Sequence, residues 1–174
     1  KDFVLNARQT VTVACSNSEE QVVHTALDML TCDIRTVLLS TTQASESTGM
    51  IVVGTIGRSE LLQQTGVDVS VLKGKQQAFL LTVSPEGKLV VAGSDKHGTA
   101  YGILEISRLL GVSPWEWWAD VTPEKKDFFK LSRKFRSVQS PSVEYRGIFI
   151  NDEDWGLMPW SNRTYEPSNV KGEI

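Results

Sequence analysis

Two periods of apolar residues alternate along the chain and separate its helices from its strands. "VTVAC" (11-15) is a β-branched apolar run, and "SNSEEQVVHTALDMLTCDI" behind it places Val22, Val23, Ala26, Leu27, Met29 and Leu30 near the 3.6-residue spacing of a helix with one buried face. Asn17 or Ser18 is the expected N-cap, with acids in the first turn. His24 sits on this helix, where a lone histidine reads as a surface or satisfied core residue. "TVLLS" (36-40) predicts a short strand and "STTQASESTG" a polar loop. "MIVVG" (50-54) predicts a strand, and "GTIGRSELLQQTG" a short helix capped by Ser59 and stopped near Gly66.

Farther on, "QAFLLTVS" (77-84) and "KLVVAG" (88-93), joined by "PEG", form an antiparallel hairpin pattern, so the sheet is expected to be mixed. "TAYGILEISRLLG" (99-111) predicts the clearest helix, with Ala100, Ile103, Leu104, Ile106, Leu109 and Leu110 on one face and Gly111 at its end. From 113 to 143, Pro114, Pro123 and Pro141 around a charged run read as an excursion or linker. "VEYRGIFIN" (143-151) predicts a new strand, and the segment after it has no periodicity.

Composition narrows the function classes. With 40% hydrophobic and 22% charged residues over 174 positions, the chain can bury a core and is far from the signature of disorder. A net charge of -3 supplies no overall basic field, so nucleic acid, anionic membranes and polyanions in general are not expected partners. No apolar run approaches the roughly 20 residues of a membrane span, and the start without Met fits a processed mature form or a chosen boundary. Cys15 and Cys32 read as free thiols, and no cluster with His offers a zinc site, so neither metal nor cofactor is expected.

Several short motifs carry candidate chemistry. Gly93-Ser94-Asp95-Lys96-His97-Gly98-Thr99 has the glycine spacing of a phosphate loop, but no Lys follows Gly98 and Asp95 would place a negative charge in the cradle. Gly54-Thr55-Ile56-Gly57 follows a strand yet is no dinucleotide fingerprint, and reads as a tight turn whose glycines allow close packing or positive φ. Trp115, Trp117 and Trp118, with Trp155 and Trp160 later, suit either a sugar-stacking face or a domain junction. Asn151-Asp152-Glu153-Asp154 ends an apolar strand, where barrel enzymes place their chemistry, though an acidic loop alone is usually solvated. Asn162-Arg163-Thr164 fits a glycosylation triplet, which matters only in a eukaryotic secretory setting.

"AGSDKHGTAYGILEISRLLGVSPWEWWADV" followed by "PSVEYRGIFINDEDWGL", with "MIVVGTIGRSELL" upstream, resembles the N-terminal part of glycoside hydrolase family 115, the xylan α-glucuronidases. The resemblance covers the chain from about residue 50 onward. It implies an α/β (α+β) accessory domain over 1-140, a mixed β-sheet packed with helices. Residues 141-174 would then begin the catalytic (β/α)8 barrel with its first strand, truncated well short of the roughly 200 residues a barrel needs. In such families the α/β domain accompanies the barrel, which implies that Gly93 to Gly98 is an architectural turn and that Trp115, Trp117 and Trp118 face a domain interface.

The parent enzyme would hydrolyse α-1,2-linked glucuronic acid or its 4-O-methyl ether from glucuronoxylan. Inversion requires an acid and a base about 6.5–9.5 Å apart, with water between base and sugar. The principal pair is expected beyond this chain. Asp152 and Glu153 are candidates for the active-site wall, and Trp155, Trp160 and His97 for substrate contact; His97 stands where members often carry Arg. The chain itself is expected to be inactive, its parent periplasmic or secreted, with carbohydrate as partner and a homodimer as one arrangement of the full-length protein. A free-standing carbohydrate-binding module, or the accessory domain of a hexosaminidase-like or other α-glucuronidase, are the alternative readings.

Overall fold

The computed structural model describes residues 1–149 and divides the chain into a first unit, Lys1–Ser142, and a second beginning at Val143. In the first unit a six-stranded sheet has the order β3-β2-β4-β6-β5-β8, from strands β2 (Thr10–Ala14), β3 (Thr41–Ser45), β4 (Ile51–Thr55), β5 (Phe79–Val83), β6 (Leu89–Gly93) and β8 (Arg136–Gln139). β3, β2, β4 and β6 run parallel, while β5 pairs antiparallel with both β6 and β8. The expected hairpin and mixed sheet are both present. β1 (Phe3–Asn6) and β7 (Phe128–Leu131) form a separate antiparallel ribbon.

Alternation along the strands divides the core in two. Val11, Val13, Ile51, Val53, Leu89 and Val91 face helices α1 (Gln21–Leu38) and α3 (Lys96–Leu110), which pack on one another. Phe3, Leu5, Phe129 and Leu131 of the ribbon join that layer. On the other face Val52, Leu80, Val90 and Ala92 meet Leu61 and Leu62 of the short α2 (Leu61–Gln64) and Leu72 of a 3-10 turn. β4, β5 and β6 are buried throughout, as strands covered on both faces must be.

Several local expectations are corrected. α1 continues through the segment read as a strand at 36–40, because Val23, Ala26, Leu30, Ile34, Val37 and Leu38 keep helical spacing against the core. Leu39 then closes the helix in the left-handed conformation, and the strand falls in the polar run behind it, as edge strand β3. Met29, expected on the inner face, is 45% exposed. Glu20 and Glu60, not Asn17, Ser18 or Ser59, occupy the N-cap positions of α1 and α2, without side-chain capping bonds. Residues 113–143 are no linker, since they hold α4 (Trp115–Ala119), β7 and β8. Residues 143–149 form no strand, and the remainder of the one expected over 143–151 lies outside the described residues.

Candidate functional site

In an open sheet with parallel strands, ligands favour the crevice where successive connections leave to opposite sides. Here α1 carries the chain from β2 outward to β3, and the return connection enters β4 on β2's other side, so the crevice lies past the carboxyl ends of β2 and β4. The turn after β2 delivers Glu19, 5% exposed, into that position. Its Oε1 accepts the Thr55 backbone N–H at 2.8 Å and its Oε2 the Thr55 hydroxyl at 2.7 Å. Thr99 Oγ1, fully buried, lies 2.7 Å from Thr55 Oγ1. Thr99 Oγ1 also donates to the Asp95 carbonyl at 3.0 Å, so the two hydroxyls belong to one buried network that ties Glu19 to the start of α3.

Arg58 spans the mouth of the crevice, donating to the Ser18 carbonyl at 2.9 Å and to Glu20 Oε1 at 2.8 Å. The chain's own carboxylate and hydroxyls therefore fill the place a ligand would take. Nothing short in the sequence marks this trio, because Glu19 follows β2, Thr55 ends β4 and Thr99 sits in the first turn of α3, far apart in the chain. The one available signal was a Thr closing an all-apolar strand.

The glycine-bracketed motif is resolved by the same end of the molecule. Only Ser94 and Asp95 separate β6 from α3, which starts three residues earlier than the apolar pattern indicated. Asp95 Oδ1 caps the helix by accepting the Gly98 N–H at 2.8 Å, and Oδ2 accepts the Gln77 N–H at 2.7 Å. Ser94 Oγ accepts the Ala78 N–H at 2.9 Å. A Cβ on Gly98 would overlap the Ala78 carbonyl, and one on Gly93 would overlap Thr99. These glycines allow two backbone segments to touch, and the anion at the helix N-terminus is Asp95 itself. Gly54 is likewise a packing glycine, against Ser59, and Gly57 a positive-φ one.

The other candidates disperse. His97 is exposed in the first turn of α3, and His24 is half-buried on α1. Trp115 is 63% exposed at the start of α4 beside Val121, whose N–H donates to the Trp115 carbonyl, while Trp117 and Trp118 belong to the same helix. Asp152, Glu153, Trp155, Trp160 and the triplet at Asn162 lie outside the described residues. Both cysteines are free. Burial, and secondarily the Glu19 charge, pushes the Cys15 thiol up to about 12, which keeps it protonated and unreactive near neutrality. Among the described residues no cluster of His, Cys, Asp and Glu could hold a metal ion, and no helix is long and apolar enough to cross a membrane.

Known proteins resemble this one in sequence and in shape. The family model for glycosyl hydrolase family 115 matches residues 138–173. A solved family 115 4-O-methyl-α-glucuronidase with specificity for decorated arabinogalactans superposes with a TM-score of 0.93 at 72% identity, over 99% of this chain and 23% of its own. Two structures of a family 20 exo-β-N-acetylglucosaminidase from Vibrio harveyi, one an inactive variant and one holding N-acetylglucosamine, share the fold alone, each at a TM-score of 0.51 with 14% and 16% identity. They are covered over 18% of their length by 83% and 84% of this chain. No curated protein matches the sequence. The chain spans less than a quarter of the 72%-identical glucuronidase, and it belongs to glycoside hydrolase family 115, matching the N-terminal part of a family member.

Proposed function

We propose that this chain is the non-catalytic N-terminal domain of an α-glucuronidase that removes α-linked glucuronic acid, or its 4-O-methyl ether, from a plant polysaccharide. The observation that carries the reading is the 72% identity to a 4-O-methyl-α-glucuronidase across 99% of this chain. The filled crevice supports a scaffold role, since Glu19, Thr55 and Arg58 consume the donors and acceptors a substrate would use there. That relative's specificity makes decorated arabinogalactan the first substrate to test, with glucuronoxylan beside it.

Asp152 and Glu153 are proposed as part of the active-site wall, with Trp155, Trp160 and His97 as substrate contacts. Trp115, Trp117 and Trp118 would pack against the remainder of the longer enzyme; the exposed Trp115–Val121 pair is the apolar surface that favours this. Such a substrate places the enzyme in the periplasm or outside the cell, and a homodimer is the proposed assembly. The test is uronate release by the longer protein from decorated arabinogalactan and glucuronoxylan: release from either supports the reading, and release from neither overturns it.

A further inference from the structure

The β1–β7 ribbon lies across the amino end of the sheet, opposite the filled crevice. Residues 7–9 carry β1 directly into the start of β2, and Lys1 and Asp2 lie against Gly87 in the turn before β6. The Ala7 N–H donates to the Asp127 carbonyl at 2.7 Å and the Lys126 N–H to that of Val37 at 2.8 Å, which sews the approach to β7 onto the last turn of α1. Phe3, Leu5, Phe129 and Leu131 turn into the core, so the strand alternation points Val4 and Phe128 the other way. These two are 36% and 59% exposed. Val4 pairs with Lys130 and Asn6 with Phe128, which makes Val4 and Phe128 diagonal neighbours within reach of one another.

Exposed apolar side chains collect at this end. Leu39 closes α1 there, and Trp115 and Val121 follow the C-terminus of α3. Of the large apolar side chains exposed in the first unit, among the described residues, only Met29 and Tyr101 stand elsewhere. Beside the ribbon is an open cleft of about 520 Å³ whose wall includes Val4 and Met50. Its charges cancel, Lys1 and Lys88 against Asp2 and Glu86, and Lys88 is bonded to Glu86 at 3.0 Å. Lys130, which shares the outer face of the ribbon with Phe128, is likewise bonded to Asp2 at 3.0 Å. The aromatic ring in the lining, Phe3, is buried and offers no face for a sugar to stack on. An apolar centre ringed by charges already paired within the domain has the make-up of a protein interface, with neither a net field for an ionic ligand nor a stacking ring for a sugar.

We propose that the outer face of the β1–β7 ribbon, with the cleft beside it, is the seat for an apolar stretch of the same enzyme from beyond residue 174. The inference rests on the α-glucuronidase reading, which supplies the occupant: the 72%-identical relative is covered over 23% of its length, so more than three quarters of such an enzyme lies outside the match. The stretch lays an apolar side chain over Val4 and Phe128 and brings little net charge to Lys88 and Lys130, whose partners are already in place. The seat extends the contact surface at Trp115 and Val121 across β7 to β1, so that the amino end of the sheet as a whole is given over to contact within the longer chain.

The experiment is lysine footprinting: the 174-residue chain and the longer enzyme are each acetylated briefly under native conditions, and labelling is read at single lysines by mass spectrometry. Expected is that Lys88 and Lys130 label about fivefold or more slowly in the longer enzyme, as side chains withdrawn from solvent by an interface do, while exposed Lys73 and Lys75, beside the 3-10 turn on the opposite face of the sheet, label alike in both. Phe128→Asp in the longer enzyme should restore the rates seen in the chain, and Val4→Gln on the neighbouring strand should act the same way. Both side chains lie outside the core, and an unchanged melting temperature of the chain carrying either substitution would confirm that it stays folded. Equal labelling of Lys88 and Lys130 in the two forms, equal slowing at all four lysines, or slowing that survives both substitutions each overturns the proposal. Protection in the chain alone that grows with its concentration would assign the face to a second copy and overturns it as well. If the longer enzyme releases uronate while Lys88 and Lys130 label alike in both forms, the seat falls and the enzymatic reading stands. If the two lysines are protected in the longer protein while it releases uronate from no glycan, the seat stands and the enzymatic reading falls.

Discussion

Glu19 is the residue on which the carboxyl end of the sheet is organised. Its two oxygens satisfy a buried backbone N–H and a buried hydroxyl; in Glu19→Ala the Thr55 hydroxyl can turn to Thr99 Oγ1 while the Thr55 N–H is orphaned, so the change should cost about 1–3 kcal/mol in denaturant unfolding. Glu19→Gln keeps a carbonyl for one donor and should cost less than half as much; equal losses for the two would remove the carboxylate from its central place. Cys15 gives a second residue-scale test. Its thiol is raised from 9.0 to about 12 on folding, so its contribution is present below pH 9 and is lost as pH climbs toward 12. Wild type should therefore lose more stability than Cys15→Ala between pH 8 and about pH 10.5. Under native conditions at pH 8, exposed Cys32 should react with a thiol reagent while Cys15 waits for unfolding.

At the scale of elements, α3 is fastened by backbone contact rather than by side chains. Gly98 lies against the Ala78 carbonyl, so Gly98→Ala must push the helix off β5 and should destabilise by about 1–3 kcal/mol or more, measured by the urea midpoint; an unchanged midpoint would mean that the contact is loose. The elements that could be read from sequence share a cause: β4, β5, β6 and α3 each carry an uninterrupted apolar pattern of one period. Those that could not be read lack it. β1, β7 and β8 are four residues each, and their partners lie far away, as Phe3 pairs with Leu131. β3 is polar because it is an edge, covered by no second strand. At 36–40, β-branched composition suggested a strand, and the core contacts of Val37 and Leu38 kept it helical instead. The site was less legible than the fold, because Glu19, Thr55 and Thr99 meet only through tertiary structure.

For the molecule as a whole, charge is nearly balanced, with 18 basic against 21 acidic side chains. The carboxyl end of the sheet agrees with an accessory role, because the chain's own groups close the crevice there. The most direct test of that role is to incubate the 174-residue chain with decorated arabinogalactan and measure uronate released, beside the longer enzyme on the same substrate. An accessory domain requires release by the longer enzyme and none above the no-protein control for the chain; steady turnover by the chain alone would contradict it.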